Sequence, residues 1–522
     1  MFMFLIKIFF YVILYMSQPI KLKSTQKVVF FGCGAVAKCC VYYLNHFIKC
    51  NPSQVTIIDK DKSTQDFPTV KQSIKRGVRF IHLTIDRNNL EDLIDNTLKL
   101  SKYDLIIDLS TNTSTYTILK ECRIRGILYI NTSIEDDDDA LNSDNVCPAN
   151  SGIFLQHLNL QSIAEKTRDY GNVTSLIEFG MNPGLISVFV KSGIMKLTKD
   201  VIKYRKQRGI PVNKNMIKYH KEQDHRKLAE MLDIQVIHCS EIDTQLPKKP
   251  SDKFINTWSC VGLITEGVEP AEIQVGTHEN RLPFAKSSVK QILPQLLITK
   301  QSGKDIRFES IAPLSIKRDN SVQFTKFEGR CVHHGEGISL NRYLGSFKYA
   351  PTMHYVYKLN PITEKLLDTT PNEELIQISK DSRKWKVLNA YEDKIEGYDN
   401  VGALFMLSKN PFTGDKKPYY YWTGSICHTD YVKNVLNDVY FGPTTVQVMA
   451  GILSGAKWIL KNKNKGLCFG EDINDQFIIK HAKKYLGLYY SGPVTDKISL
   501  RGHTLDKLIV KGDGTMTKFS KL

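Results

Sequence analysis

Gly32-Cys33-Gly34-Ala35-Val36-Ala37 reads GxGxxA, and it joins an apolar run, Lys27-Val28-Val29-Phe30-Phe31, to the helix-compatible Cys39–Phe47. In a strand–turn–helix setting the first glycine allows a tight turn, and the second lets the backbone approach a pyrophosphate. The small Ala37 permits close helix–strand packing, and the helix N-terminus offers the positive end of its dipole. Gly32, Gly34, Ala35 and Val36 are therefore candidate contacts for a dinucleotide. A second strand, Gln54-Val55-Thr56-Ile57-Ile58, ends at Asp59, where a carboxylate accepts hydrogen bonds from the adenosine ribose. Asp59 favours NAD over NADP because it repels a 2′-phosphate, while Lys60 and Lys62 stand close enough in sequence to attract one.

The elements that position these groups alternate. Arg79–Leu83 is strand-like, Asn89–Leu100 helical, Tyr103–Leu109 a strand, 115–125 a helix and Ile127–Asn131 a strand. Strands alternating with helices predict a doubly wound α/β domain of Rossmann type over residues 25–156. Ligand groups in such a sheet come from the carboxyl ends of the strands, which adds Ser110 and Thr132 to the cofactor candidates. Residues 157–432 contain a charged helical stretch and many short strand-like pieces, an α+β second domain. Helical periodicity returns in 433–493, notably Thr445–Lys461, and residues 494–522 form a polar tail expected to be loosely held.

The chain has 522 residues with 42% hydrophobic and 24% charged side chains, an ordinary globular composition that excludes a disordered, collagen-like or polytopic membrane protein. Its formal charge of +17 comes from lysines spread along the whole chain, without a zinc finger or long basic run, so no nucleic-acid partner is expected. Eleven cysteines show no zinc-ligand spacing, so no metal site is indicated; a reducing, cytoplasmic setting fits them. Residues 1–24 are an N-terminal extension whose first sixteen are almost wholly apolar, but that run is shorter than a bilayer span and Lys7 interrupts it. Either Met16 is the true start or the segment is a signal peptide or membrane anchor; no stable membrane association is expected.

Several strings together resemble the bacterial-type homospermidine synthases, relatives of saccharopine dehydrogenase: GCGAVAK (32–38), DLSTNTS (108–114), LYINTSIE (128–135), MNPGLIS (181–187), HCSEIDTQ (238–245), NTWSCVGLITEGVEPAEIQVGTHEN (256–280), HHGEGIS (333–339), PTMHYVY (351–357), YYWTGSICHTDY (420–431) and VQVMAGILSGAKW (446–458). The similarity runs from about Val28 to Pro493, and the Trp258–Asn280 block is its most specific part. The resemblance implies a transferase that uses a tightly bound NAD without net consumption. One putrescine, or spermidine, is oxidised to an imine, the imine exchanges its nitrogen for a second putrescine, and re-reduction yields homospermidine. It further implies a homodimer, a substrate-binding and dimerisation role for 157–432, and C-terminal helices (433–493) that rejoin the dinucleotide domain.

A diamine is dicationic at neutral pH, so its pocket needs carboxylates. The matched strings supply Glu135, Glu241, Glu266 and Glu336, each of which could equally be surface charge. Trp258 could cover an iminium by a cation–π contact worth about 0.5–2 kcal/mol, or pack as a core aromatic. Asn182 could bind an ammonium or cap the helix that follows. His354 is a candidate proton shuttle or a satisfied core histidine. Tyr355 and Tyr357 could line a water-poor cavity or simply pack in a core.

Two departures stand out. Asn112 occupies a position where the resemblance implies Asp, removing a fixed charge from the amine site. Glu135 is followed by Asp136-Asp137 where Pro-Trp is usual. Two rival readings stay open: a saccharopine- or carboxynorspermidine-dehydrogenase-like imine reductase, which needs an Arg or Lys clamp on a carboxylate, and a catalytically inactive NAD-binding regulator.

Overall fold

The computed structural model describes residues 18–111, 113–135, 152–281, 295–317, 319, 321–512 and 516–518. Asn112, the apolar segment ending at Met16 and the acidic tract Asp136–Asp139 lie outside the described residues. The chain divides into two compact units, the first containing the described residues before Asp144 together with Leu158–Gly184 and Thr445–Gly487, the second containing Leu185–Thr444 and the C-terminal residues from Leu488.

Short runs make the first unit's strands, wholly buried in four of them: β1 (Val28–Phe31), β2 (Val55–Asp59, partly buried), β3 (Arg79–His82, at the sheet edge and not buried), β4 (Leu105–Asp108), β5 (Leu128–Asn131) and β6 (Ser175–Leu176). Helix α1 (Ala35–Phe47) follows β1, α2 (Pro68–Lys75) follows β2, and α3 (Thr115–Arg125) follows β4. Ser114 caps α3 through Thr117 N, and Gly126, in the left-handed conformation, ends it. The helix expected over Asn89–Leu100 is shorter, an α-turn at Leu90–Asp92 running into π geometry at Leu93–Thr97.

The second unit begins with α4 (Leu185–Gln207) and is built on β7 (Ile234–Asp243), α5 (Cys260–Val268), β8 (Pro270–Val275), β9 (Gln295–Ser302), β10 (Arg307–Ile316), β11 (Val322–Arg330), α6 (Gly335–Leu344), β12 (Thr352–Lys358), β13 (Tyr398–Leu407) and β14 (Tyr419–His428). After α7 (Pro443–Lys461) the chain adds β15 (Leu467–Cys468) to the first unit and β16 (Leu488–Pro493) to the second.

The first sheet is parallel throughout, in the order β15-β6-β5-β4-β1-β2-β3. Strand order reverses between β1 and β4, which places a ligand crevice at their carboxyl ends. The second sheet runs β16-β14-β13-β7-β12-β8-β9, with the β10–β11 pair branching from β12. Strands β7 and β12 are parallel, whereas β7, β13 and β14 are antiparallel.

The register of these central strands sorts residues by parity. Even-numbered Val236, Ile242, Val356, Leu404, Met406, Trp422 and Ile426 share one apolar cluster with Phe308, Ile311, Phe324 and Phe327 of β10 and β11. The odd-numbered face carries Glu241, Asp243, Tyr355, Tyr357 and Asp399. One face is thus a dry core and the other can hold polar chemistry.

The C-terminal segment differs from the loosely held tail expected of it. Leu500, Leu505 and Leu508 are buried in the same core, and Leu505 N donates to both oxygens of buried Glu279 at 3.1 and 3.2 Å. Burying a leucine is worth about 1.5–3 kcal/mol, enough for three such anchors to hold a polar segment in place. Among the described residues no helix is long and apolar enough to cross a membrane.

Candidate active site

In the first unit the glycine loop behaves as its spacing requires. Gly32 has φ +83°, and a Cβ there would lie 2.5 Å from the Leu109 carbonyl oxygen, so only glycine serves between β1 and β4. Gly34 is the extended N-cap of α1, offers no side-chain cap, and has open space where a Cβ would point. Ala35 and Val36 form the first turn, whose N–H groups have no intrahelical acceptor. The Asp59 carboxylate accepts from Cys33 N within the glycine loop and from Asp61 N at 2.6 Å. Ser110 donates to Asp108 at 2.6 Å, and Tyr129 holds the other oxygen of Asp108 at 2.7 Å. An open cradle over a helix N-terminus, with a carboxylate tied to the loop, fits the pyrophosphate and ribose of NAD.

Thr132 follows β5, where its methyl group would face a side chain placed on Gly180. Glu135 accepts from Ser133 Oγ at 2.8 Å and hydrogen-bonds through its backbone to Thr115. Asn182 lies in a turn closed by Gly180 N on the Pro183 carbonyl at 2.8 Å. Just before it, buried Glu178 adopts φ +53°, with its N–H on Asn131 Oδ1 at 2.8 Å. Such a conformation costs about 1–3 kcal/mol and is typical of places where function fixes the backbone. No sequence motif pointed to Glu178.

In the second unit the odd face of β7, β12 and β13 gathers a buried acidic cluster. Tyr355 donates its hydroxyl to Glu241, and Glu241 hydrogen-bonds Asp399. Burial, then the neighbouring charges of Glu241 and Asp243, pushes the Asp399 carboxyl well above the usual carboxylate range. Asp243 is pushed up to about 6 by burial, although Gln245 and Thr257 supply it with hydrogen bonds. Tyr357 stacks on Tyr355 with ring centroids 5.2 Å apart.

Tyr355 also meets His334 edge to face, with centroids 4.3 Å apart. His334 is the N-cap of α6, 3.3 Å from Glu336 and 3.6 Å from Glu266. Burial opposes a charge on its ring, but Glu336 and Glu266 overcome that cost and hold it well above the ordinary histidine range. Both Glu336 oxygens and Oε2 of Glu266 are buried, with the His334 ring as the cation beside them. Trp258, just before the Ser259 N-cap of α5, lies against Gly262 in its first turn, and Gly262 and Glu266 lie four residues apart on one face of that helix. Thr257, beside Trp258, donates to Asp243 at 3.0 Å.

Of the sequence candidates, the structure therefore brings Glu241, Glu266 and Glu336 into one acidic cluster, with Trp258 packed on Gly262 at the start of the helix that carries Glu266. His354 is not brought there. It sits on the even face, 4.3 Å from the rings of both His238 and Phe308, and burial pulls its pKa down to about 3. The physical reason is strand parity: His354 and Tyr355 must point to opposite faces. His334, Asp243 and Asp399 were missed as site residues; HHGEGIS contained the signal for His334, since a histidine two residues from a glutamate at a helix start can pair with it.

Residues 28–168 match the family described as "Saccharopine dehydrogenase NADP binding domain", and residues 180–488 match "Saccharopine dehydrogenase C-terminal domain". The homospermidine synthase of Blastochloris viridis is 27% identical over 495 residues, covering 93% of this chain and 94% of that one. That of Mesorhizobium japonicum is 27% identical over 484 residues, covering 90% and 91%. A solved structure of the homospermidine synthase from Legionella pneumophila in complex with NAD superposes with a TM-score of 0.69 at 25% identity, covering 95% of this chain and 100% of that one.

Proposed function

The chain belongs to the saccharopine dehydrogenase family, and from that premise we propose that it is a homospermidine synthase, joining two putrescines, or spermidine and putrescine, with release of ammonia or 1,3-diaminopropane. The observation that carries this reading is the acidic cluster with two poles, Glu241–Asp399–Asp243 and Glu266–His334–Glu336, joined by Tyr355, which touches both. At an effective dielectric of about 20, opposite charges about 4 Å apart attract by about 4 kcal/mol, so a cluster in which five carboxylates outnumber the His334 cation favours a substrate that brings two positive charges.

Gly32, Gly34, the first turn of α1 and Asp59 would hold NAD, whose chemistry when bound is to accept a hydride from the amine carbon and return it to the second imine. An ammonium must lose a proton before its carbon can lose hydride. His334, held between Glu266 and Glu336, is placed to give a proton to the departing nitrogen and to recover one from the incoming ammonium. Glu241, fixed by Tyr355, and Asp399 bind the ammonium of the amine. Trp258 offers an indole face to an iminium, and Tyr355 and Tyr357 keep water from an imine. Asn182 and Glu135 are proposed amine contacts, and Ser110 and Thr132 proposed cofactor contacts.

The imine-reductase reading requires a cation free to clamp an α-carboxylate. Among the described residues the two fully buried arginines are otherwise engaged: Arg330 with Lys304 O and Glu364, Arg123 with Thr167, Val173 O and Ala164 O. The family resemblance further suggests a homodimer in the cytoplasm, which sedimentation and fractionation would test.

The deciding experiment incubates the protein with putrescine and catalytic NAD⁺ and follows polyamines by mass spectrometry. Homospermidine in excess over cofactor, without accumulated NADH, is the expected result. NADH without homospermidine would replace the proposal with a dehydrogenase, and NAD binding without either product would replace it with a regulator.

A further inference from the structure

The carboxylates of the first pole are attached to a buried chain of hydrogen bonds outside the residues that face an amine. Thr257 Oγ1 donates to Asp243 Oδ2 at 3.0 Å. Asp243 Oδ1 accepts both the backbone N–H of Gln245, at 2.8 Å, and its side-chain Nε2, at 2.9 Å. The same Nε2 donates to Thr444 Oγ1 at 2.6 Å, and Thr444 Oγ1 lies 2.6 Å from Asp399 Oδ2. All of these side chains are buried.

The donor count gives the chain a direction. An amide nitrogen has two protons; one goes to Asp243 and the other to Thr444. The Thr444 oxygen already accepts, so its single proton goes to Asp399 Oδ2. That oxygen is then held as an acceptor, and the Asp399 carboxyl is anchored through it.

We infer that Gln245 and Thr444 are positioning residues that fix the Asp399 carboxyl beside Glu241 and weaken the pair's hold on its shared proton, and so prepare the pair for an ammonium to take that proton's place. The inference rests on the amine-binding reading above. When the amine binds, the displaced proton leaves to solvent and the ionised pair keeps the Thr444 bond on Oδ2. Without Thr444 the Asp399 carboxyl loses its orienting donor, the pair holds its proton more tightly, and the amine competes less well.

The test compares wild type with Thr444→Val, Thr444→Ser and Gln245→Met, by the pH profile of kcat/KM for putrescine and by infrared titration of buried carboxyl groups in the NAD-loaded protein. Thr444→Val is expected to lose about tenfold in kcat/KM at neutral pH and to move the acid limb up by about one pH unit. Thr444→Ser should restore both, and Gln245→Met should shift the limb in the same direction by less. Unchanged limbs and carboxyl titration in Thr444→Val overturn the inference, as does a Ser variant that behaves like Val. If Thr444→Val fails to fold, the Ser and Met variants decide by the same readouts. Should wild type make no homospermidine, the functional reading falls alone, and the carboxyl titration still decides the relay.

Discussion

His354 and Tyr355 are neighbours in the chain and occupy opposite faces of one sheet, the first against His238 and Phe308, the second bonded to Glu241 and packed on His334. The division predicts that the two histidines of this region answer differently to mutation. His334→Gln should lower kcat for homospermidine formation about 100-fold or more, whereas His354→Gln should leave kcat within a few-fold and cost stability of about 1–3 kcal/mol through a disturbed buried polar group. Steady-state kinetics and urea denaturation of the two variants check this; a kcat collapse in His354→Gln with stability intact would reverse the assignment.

Tyr355→Phe removes the hydroxyl donor of Glu241 while keeping the ring between Tyr357 and His334. Hydrogen bonds to charged groups are worth about 1.5–3 kcal/mol, so KM for putrescine should rise by about tenfold or more. Isothermal titration should find NAD affinity unchanged, because Tyr355 belongs to the second unit's cluster.

The buried pair His238 and His354 makes stability pH-dependent. Burial lowers both, His354 to about 3, and each remains neutral when folded. Above the unfolded value of about 6.5 neither state binds a proton and stability is full; as pH falls from there towards about 3 the unfolded chain gains protons the folded chain refuses. Each such histidine then removes up to about 1.4 kcal/mol per pH unit. Urea denaturation at neutral pH and at pH about 5 should show wild type losing more stability than His354→Gln.

Asp59 is predicted to set cofactor choice, since its carboxylate is tied to the glycine loop and would meet a 2′-phosphate. Asp59→Ser should weaken NAD binding and improve NADP binding, changing the ratio of the two dissociation constants by about 100-fold, as expected when a close like charge is relieved. Equal losses for both cofactors would mean that Asp59 only holds the loop.

Gly32→Ala should abolish NAD binding and destabilise the first unit, because the residue needs a positive φ and its Cβ would strike Leu109 O. Gly34→Ala, with open space at its Cβ, should fold normally and lose NAD affinity alone, which thermal melts with and without NAD would separate.

Much of the first unit was legible in the sequence because its signals are local. A buried strand, a glycine pair and a helix start lie within twenty residues, and each strand end follows from its own apolar run. The acidic character of the second unit was legible too, since Glu241, Glu266 and Glu336 lie in specific strings. What the sequence left open was the grouping. Strand parity says that His354 and Tyr355 diverge, but the face that becomes dry core is decided by the β10–β11 pair covering the even side. Asp399 reaches Glu241 only because β13 pairs with β7 across more than 150 residues of chain, in a register that sets Asp399 opposite Asp243. His334 becomes a cation only where Glu266 and Glu336 close on it. Sequence determined which chemical groups are present and which short elements carry them; the tertiary structure decided which of them share a desolvated space, because proton affinity and charge pairing depend on neighbours that are distant in the chain.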